Sequence, residues 1–143
     1  MKNGKSVLAI IPARSGSKRI PKKNIKDFSD KPLIVHTIRD ALSASYINRV
    51  IVDTDSEEIA KIARENGAEV PFLRPTEMAQ DTSQVIDNII HTLNKLKEDE
   101  GYDSTHVFIL QTTSPLREIE DIDKCWDLMH HSNATTVLTV CST

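Results

Sequence analysis

The sequence predicts an α/β fold built on a mainly parallel sheet. Three observations carry that expectation. Short apolar runs alternate with longer stretches whose apolar positions recur every three or four residues, the pattern of strands alternating with helices. No internal repeat, low-complexity tract or linker interrupts the alternation. The 143 residues suit one domain, residues 1–143. At that size folding hides about 68–70% of the chain's surface, so no disulfide or metal staple is needed.

Residues 6–11 (SVLAII) are a continuous apolar run closed by Pro12, which reads as a buried strand. A basic loop follows it. Pro32 suits the first turn of a helix, and Leu33, Ile34, Ile38, Ala41 and Leu42 recur at helical spacing. Residues 49–52 form a short strand running into Asp53-Thr54-Asp55. Asp55 or Ser56 can cap the next helix, whose first turn holds Glu57 and Glu58 where the helix dipole favours acids. Ile59, Ile62 and Ala63 form its apolar face, and Gly67 stops it. Residues 68–72 read as a brief strand, and Arg74-Pro75 lies in a polar loop. From Ser83 onward, Val85, Ile86, Ile89, Ile90, Leu93 and Leu96 make an amphipathic helix. Residues 106–110 are a third buried run. Residues 119–131 are a helix with Ile119, Ile122, Trp126 and Met129 inward, and residues 135–140 are a last strand.

Composition narrows the function. A formal charge of −3 argues against general nucleic-acid binding, which shows a basic balance. Cys125 and Cys141 form no CxxC motif, so neither zinc nor a redox pair is suggested. No long apolar run or signal peptide appears, so no membrane segment is expected and a cytoplasmic location follows.

Against that acidic balance, Arg14, Lys18, Arg19, Lys22 and Lys23 crowd into one segment with no acid among them. A phosphate loop needs small residues, backbone N–H groups and fixed positive charge. Ser15-Gly16-Ser17 supplies the first, and the flanking cations supply the last. There is no GxGxxG, and Gly4-Lys5-Ser6 precedes the first strand without an upstream glycine, so neither a dinucleotide fingerprint nor a P-loop is present. The bland alternative is that these cations form a solvated face. Position argues against it: ligands of open parallel sheets bind beyond the strands' carboxyl ends, where strand order reverses. With the first strand central and the order 3-2-1-4, the loop of residues 12–24 faces the loop of residues 111–117.

The segments "IPARSGSKRIPKKNI", "KPLIVHTIRDAL", "VIVDTDSEEIAKIARENGAEV", "FLRP", "DTS" and "LQTTSPLR", in that order, resemble the CMP-N-acylneuraminate synthetases, the cytidylyltransferases that activate sialic and other nonulosonic acids. The resemblance implies a three-layer, Rossmann-like nucleotide-diphospho-sugar transferase fold. It implies a nucleotidyltransferase that joins CTP to a nonulosonic acid with Mg²⁺, releasing pyrophosphate and a CMP-sugar, and a homodimer for full-length members. Arg14, Ser17 and Lys23 would hold the triphosphate, with Lys18 in support, and Arg14 and Lys23 are the catalytic candidates. Asn24 and backbone groups of Ile11 and Ala13 would reach the ribose. Arg74 and Ser83 would contact the cytosine, whose O2 and N3 are acceptors that a guanidinium and a hydroxyl can serve. Gln111 would face the sugar acid. Ser83 is equally a good helix N-cap, and Asp53 and Asp55 look metal-like without being expected ligands.

The sequence departs from the family pattern at Ser15, Arg19 and Lys22, where glycine is common, and at Thr112, where proline is more usual. Family members also run on for about another half of this chain. The metal carboxylates, much of the sugar pocket and the dimerisation element are expected in that part, so the 143 residues read as an apparently truncated N-terminal portion. The isolated chain is then expected to bind nucleotide and turn over little. Alternatives are a cytidylyltransferase for KDO or pseudaminic acid, and a non-catalytic nucleotide-binding module.

Overall fold

A computed structural model describes residues 6–14, 27–28, 31–75, 85–112 and 119–132. The elements are β1 (Val7–Pro12), β2 (Asp27–Phe28), β3 (Lys31–Pro32), α1 (Leu33–Ser43), β4 (Arg49–Asp53), α2 (Glu57–Glu65), α3 (Val85–Glu100), β5 (His106–Ile109) and α4 (Ile119–Ser132). Strand β1 is central and parallel to both neighbours, in the order β4-β1-β5. Glu69 adds a single parallel bridge to Ile51 on the far side of β4. The expected order 3-2-1-4 is therefore present, with the third strand reduced from residues 68–72 to one bridge. The short antiparallel pair β2–β3 was not anticipated. The expected strand at residues 135–140 lies outside the described residues.

Strand alternation divides the core into two layers. Ala9, Ile11, Val50 and Val52 face α1, α2 and α4 through Ile34, Ile38, Ile59, Ala63 and Ile122. Leu8, Ile10 and Ile51 face the other way, onto Ile89 and Leu96 of α3. The fold is thus a three-layer α/β arrangement. The burial of both faces explains why β1 is apolar without alternation.

Helix α2 shows how local sequence sets the boundaries. The Ser56 hydroxyl accepts from the Ile59 N–H, making Ser56 rather than Asp55 the N-cap. At the other end Gly67 takes φ +97°. The Ala68 N–H reaches the Ala63 carbonyl and the Gly67 N–H the Arg64 carbonyl, the two bonds of a Schellman stop.

Three apolar faces are less buried than expected. Leu42 of α1 and Ile86 and Ile90 of α3 are exposed, and β5 is only half-buried. His106 and Phe108 lie under Trp126 of α4. Val107 and Ile109 share a sheet face with Leu8 and Ile10 yet remain exposed, because α3 packs over β1 and β4 and does not cover that edge.

The amino edge of the sheet is fastened by polar groups. The Ser6 and Tyr102 hydroxyls lie 2.7 Å apart, and Thr105 Oγ1 donates to the Ser6 carbonyl at 3.0 Å. Asn48 Oδ1 accepts from the Val7 N–H. Arg49 forks onto Glu69 at 2.8 and 3.0 Å, reaches Glu100 at 3.1 Å, and lies 4.6 Å over the Tyr102 ring. Burial disfavours the charged guanidinium, but the hydrogen bonds and charges of Glu69 and Glu100 outweigh it, so the Arg49 pKa is raised above the ordinary arginine value.

Candidate active site

The carboxyl edge is built differently. Pro12 pairs with Asp53 on one side of β1, and on the other the Leu110 N–H donates to the Ile10 carbonyl. The chain leaves β1 toward β4 and returns beyond it at β5, so the space between the ends of β1 and β5 is the topological switch point. Ala13 and Arg14 follow β1 at this edge, and Gln111 and Thr112 follow β5. Ile11 is fully buried within the ladder, so only its backbone could serve a ligand. Gln111 is exposed and Thr112 is buried.

Asp53 ties three segments together at this edge. Its carbonyl accepts from the Ala13 N–H at 2.9 Å, which fixes the first residue after β1. The same carbonyl accepts from Arg74 Nη2 at 2.9 Å. Its carboxylate takes Arg74 Nε at 3.2 Å on Oδ1 and Nη2 at 2.9 Å on Oδ2. This is a two-pronged guanidinium–carboxylate pair, and its side chains are 2% and 1% exposed. The Arg74 backbone N–H also donates to the Thr54 carbonyl at 2.7 Å. Pro75 restricts Arg74 to extended backbone, which suits that strand-like contact. The loop position expected for Arg74 is therefore an interior one, with Nε and Nη2 committed to Asp53 and Nη1 outside these bonds.

Sequence reasoning noted Asp53 only as metal-like and did not pair it with Arg74. The available signal was an acid ending an apolar strand and an arginine held before a proline, and neither predicts the other. Ser17, Lys18, Lys23, Asn24 and Ser83 lie outside the described residues, as do residues 113–118.

Among the described residues there is no group of three or more His, Cys, Asp or Glu side chains placed to hold a metal, and the Asp53 carboxylate is engaged by arginine. No helix among the described residues is long and apolar enough to cross a membrane.

A protein-family model described as a cytidylyltransferase matches residues 8–141. The chain belongs to the cytidylyltransferase family. It is 49% identical to the CMP-N,N'-diacetyllegionaminic acid synthase of Legionella pneumophila, over 81% of this chain and 50% of that protein. It is 43% identical to a pseudaminic acid cytidylyltransferase of Campylobacter jejuni, over 76% of this chain and 47% of that one. The N-acylneuraminate cytidylyltransferase of Escherichia coli is 42% identical, over 78% of this chain and 25% of that one. Among solved structures, CMP:2-keto-3-deoxy-manno-octonic acid synthetase complexed with CTP superposes with a TM-score of 0.76 at 23% identity, over 91% of this chain and 49% of that one. At that identity the likeness shows the fold alone. This cytidylyltransferase-family chain spans about half the length of the first curated relatives it matches.

Proposed function

We propose that the protein of which this cytidylyltransferase-family sequence forms part transfers a cytidylyl group from CTP to a nonulosonic acid of the sialic-acid type, in the cytoplasm. The observation that supports this reading is that Ala13-Arg14 follow β1 and Gln111 follows β5, the two strands between which the order reverses, at the carboxyl edge where nucleotides bind in such sheets. Support for the acceptor comes from the relatives, which at 41–49% identity are named for legionaminic, pseudaminic and N-acylneuraminic acids.

The chemistry asks little of a nucleophilic side chain. An acceptor hydroxyl attacks the α-phosphorus of CTP in line, the bond to the β-phosphate oxygen breaks, and pyrophosphate leaves. The protein's part is to position the two reactants and to oppose charge gathering on phosphate oxygens. Arg14 and Lys23, with Ser17 and Lys18, are assigned to the triphosphate, and Asn24 with Ile11 and Ala13 to the ribose. Arg74 and Ser83 are assigned to the base and Gln111 to the sugar acid. Mg²⁺ would add positive charge at the phosphates when bound; no described residues are assigned to it.

The test has two stages. Calorimetry with CTP asks whether this chain binds nucleotide. Pyrophosphate release with CTP and a panel of nonulosonic acids and KDO, in the longer protein, asks for turnover and acceptor. No binding and no CMP-sugar would reject the reading. Binding without pyrophosphate in the longer protein would leave a nucleotide-binding module.

A further inference from the structure

The Asp53–Arg74 pair does more than the fold requires of a loop anchor. A loop at a sheet edge can be held by backbone bonds alone, and the Arg74 N–H already gives one to Thr54. A buried ion pair adds little net stability over apolar packing, because desolvating both charges offsets their attraction. What such a pair does supply is orientation. Two prongs on the carboxylate and a third contact to the same residue's carbonyl hold the guanidinium plane in one attitude. That carbonyl also receives the Ala13 N–H, so one residue sets the relative placement of the segment after β1 and the Arg74 segment.

We propose that Asp53 is a positioning residue for nucleotide selection, fixing the Arg74 guanidinium and the Ala13-Arg14 turn as one unit so that the remaining donor of Arg74 meets the base in a single orientation. This rests on the nucleotide reading above and deepens it. Cytosine offers two adjacent acceptors, O2 and N3, to such a donor. Uracil carries a hydrogen on N3 and presents a donor there instead. A guanidinium held in one plane discriminates between the two, and one free to turn toward O2 alone does not. The charge of Asp53 therefore governs the preference for CTP over UTP without touching either.

The test is calorimetric titration of the chain with CTP and with UTP, for the parent sequence, Asp53→Asn and Asp53→Glu. Asp53→Asn keeps the size but turns one of two acceptor oxygens into a donor facing Arg74 Nη2. Its affinity for CTP should fall by about 10–100-fold, the effect of one misdirected charge-assisted hydrogen bond, while UTP affinity changes little and the CTP:UTP ratio collapses. Asp53→Glu keeps the charge in the buried pair and displaces the fork by one methylene, so its ratio should fall between the two. A parallel loss for both nucleotides in Asp53→Asn, leaving the ratio at the parent value, would make the pair a fold brace and overturn the proposal. If Asp53→Asn does not fold, an unchanged ratio in Asp53→Glu overturns it equally. A parent chain that binds neither nucleotide would instead reject the nucleotide reading, and this inference with it.

Discussion

Truncating Asp53 to alanine tests the buried pair as a determinant of stability. The Arg74 guanidinium is 2% exposed, so removing its carboxylate leaves a desolvated cation with only a backbone carbonyl as partner. Breaking a buried pair from one side costs about 3–5 kcal/mol, because the remaining charge is uncompensated. At about 2–4 °C per kcal/mol for a chain near this length, the melting temperature should drop by about 6–20 °C. The comparison is Glu57→Ala, which removes an ion pair of similar length to Arg64 whose side chains are 71% and 48% exposed. That change should cost no more than about 1 kcal/mol. Urea unfolding followed by fluorescence suits the measurement, since Trp126 is the sole tryptophan, buried and stacked on Tyr46 at 5.1 Å. Replacing both partners, Asp53→Leu with Arg74→Met, should recover most of the loss. If Asp53→Ala costs no more than Glu57→Ala at an unchanged denaturant slope, the reasoning from burial is wrong.

Gly67→Ala should destabilise by about 1–2 kcal/mol, because φ +97° strains any side chain and the added Cβ would meet Leu42 Cδ1 at 3.0 Å; Gly67→Asn should be milder, and thermal melting decides. Ser56→Ala should cost about 1 kcal/mol through the lost N-cap bond to Ile59, read by the same melts. The raised Arg49 pKa means its contribution is fully present below the ordinary arginine range and is lost only above the folded value, so stability measured from pH 7 to 10 should show no step removable by Arg49→Gln. In the longer protein, Arg14→Ala and Lys23→Ala should each lower cytidylyl transfer by about 100–1,000-fold, as for loss of one preorganised charge; a change under about threefold would return them to a solvated face.

Some of this architecture was legible in the residues and some was not. The strands themselves were legible as apolar runs, whereas their order was a supposition with the first strand central, and β4-β1-β5 agrees with it. The end of α2 was legible because the stop is local: Gly67 and its neighbours make the whole motif. The exposure of Val107, Ile109, Ile86 and Ile90 was not legible, since periodicity reports apolarity and not which neighbour covers it. The Asp53–Arg74 pair was hidden for a related reason. Its members are 21 residues apart in sequence and meet where the Arg74 N–H also docks on the Thr54 carbonyl. Nothing in either local stretch distinguishes that pairing from an ordinary surface acid and an ordinary loop arginine.

The cross-ties among Ser6, Arg49, Glu69, Glu100, Tyr102 and Thr105 sit at the rim remote from Arg14 and Gln111. The two rims therefore answer to separate demands. Strand registry is held there by groups that have no part in the proposed nucleotide site, so the loops proposed to bind can vary without loosening these ties. Grafting a relative's residues 14–24 or 111–117 onto this scaffold should change what it accepts while leaving the alignment of its sheet untouched, so retargeting it is a matter of loops and not of refolding.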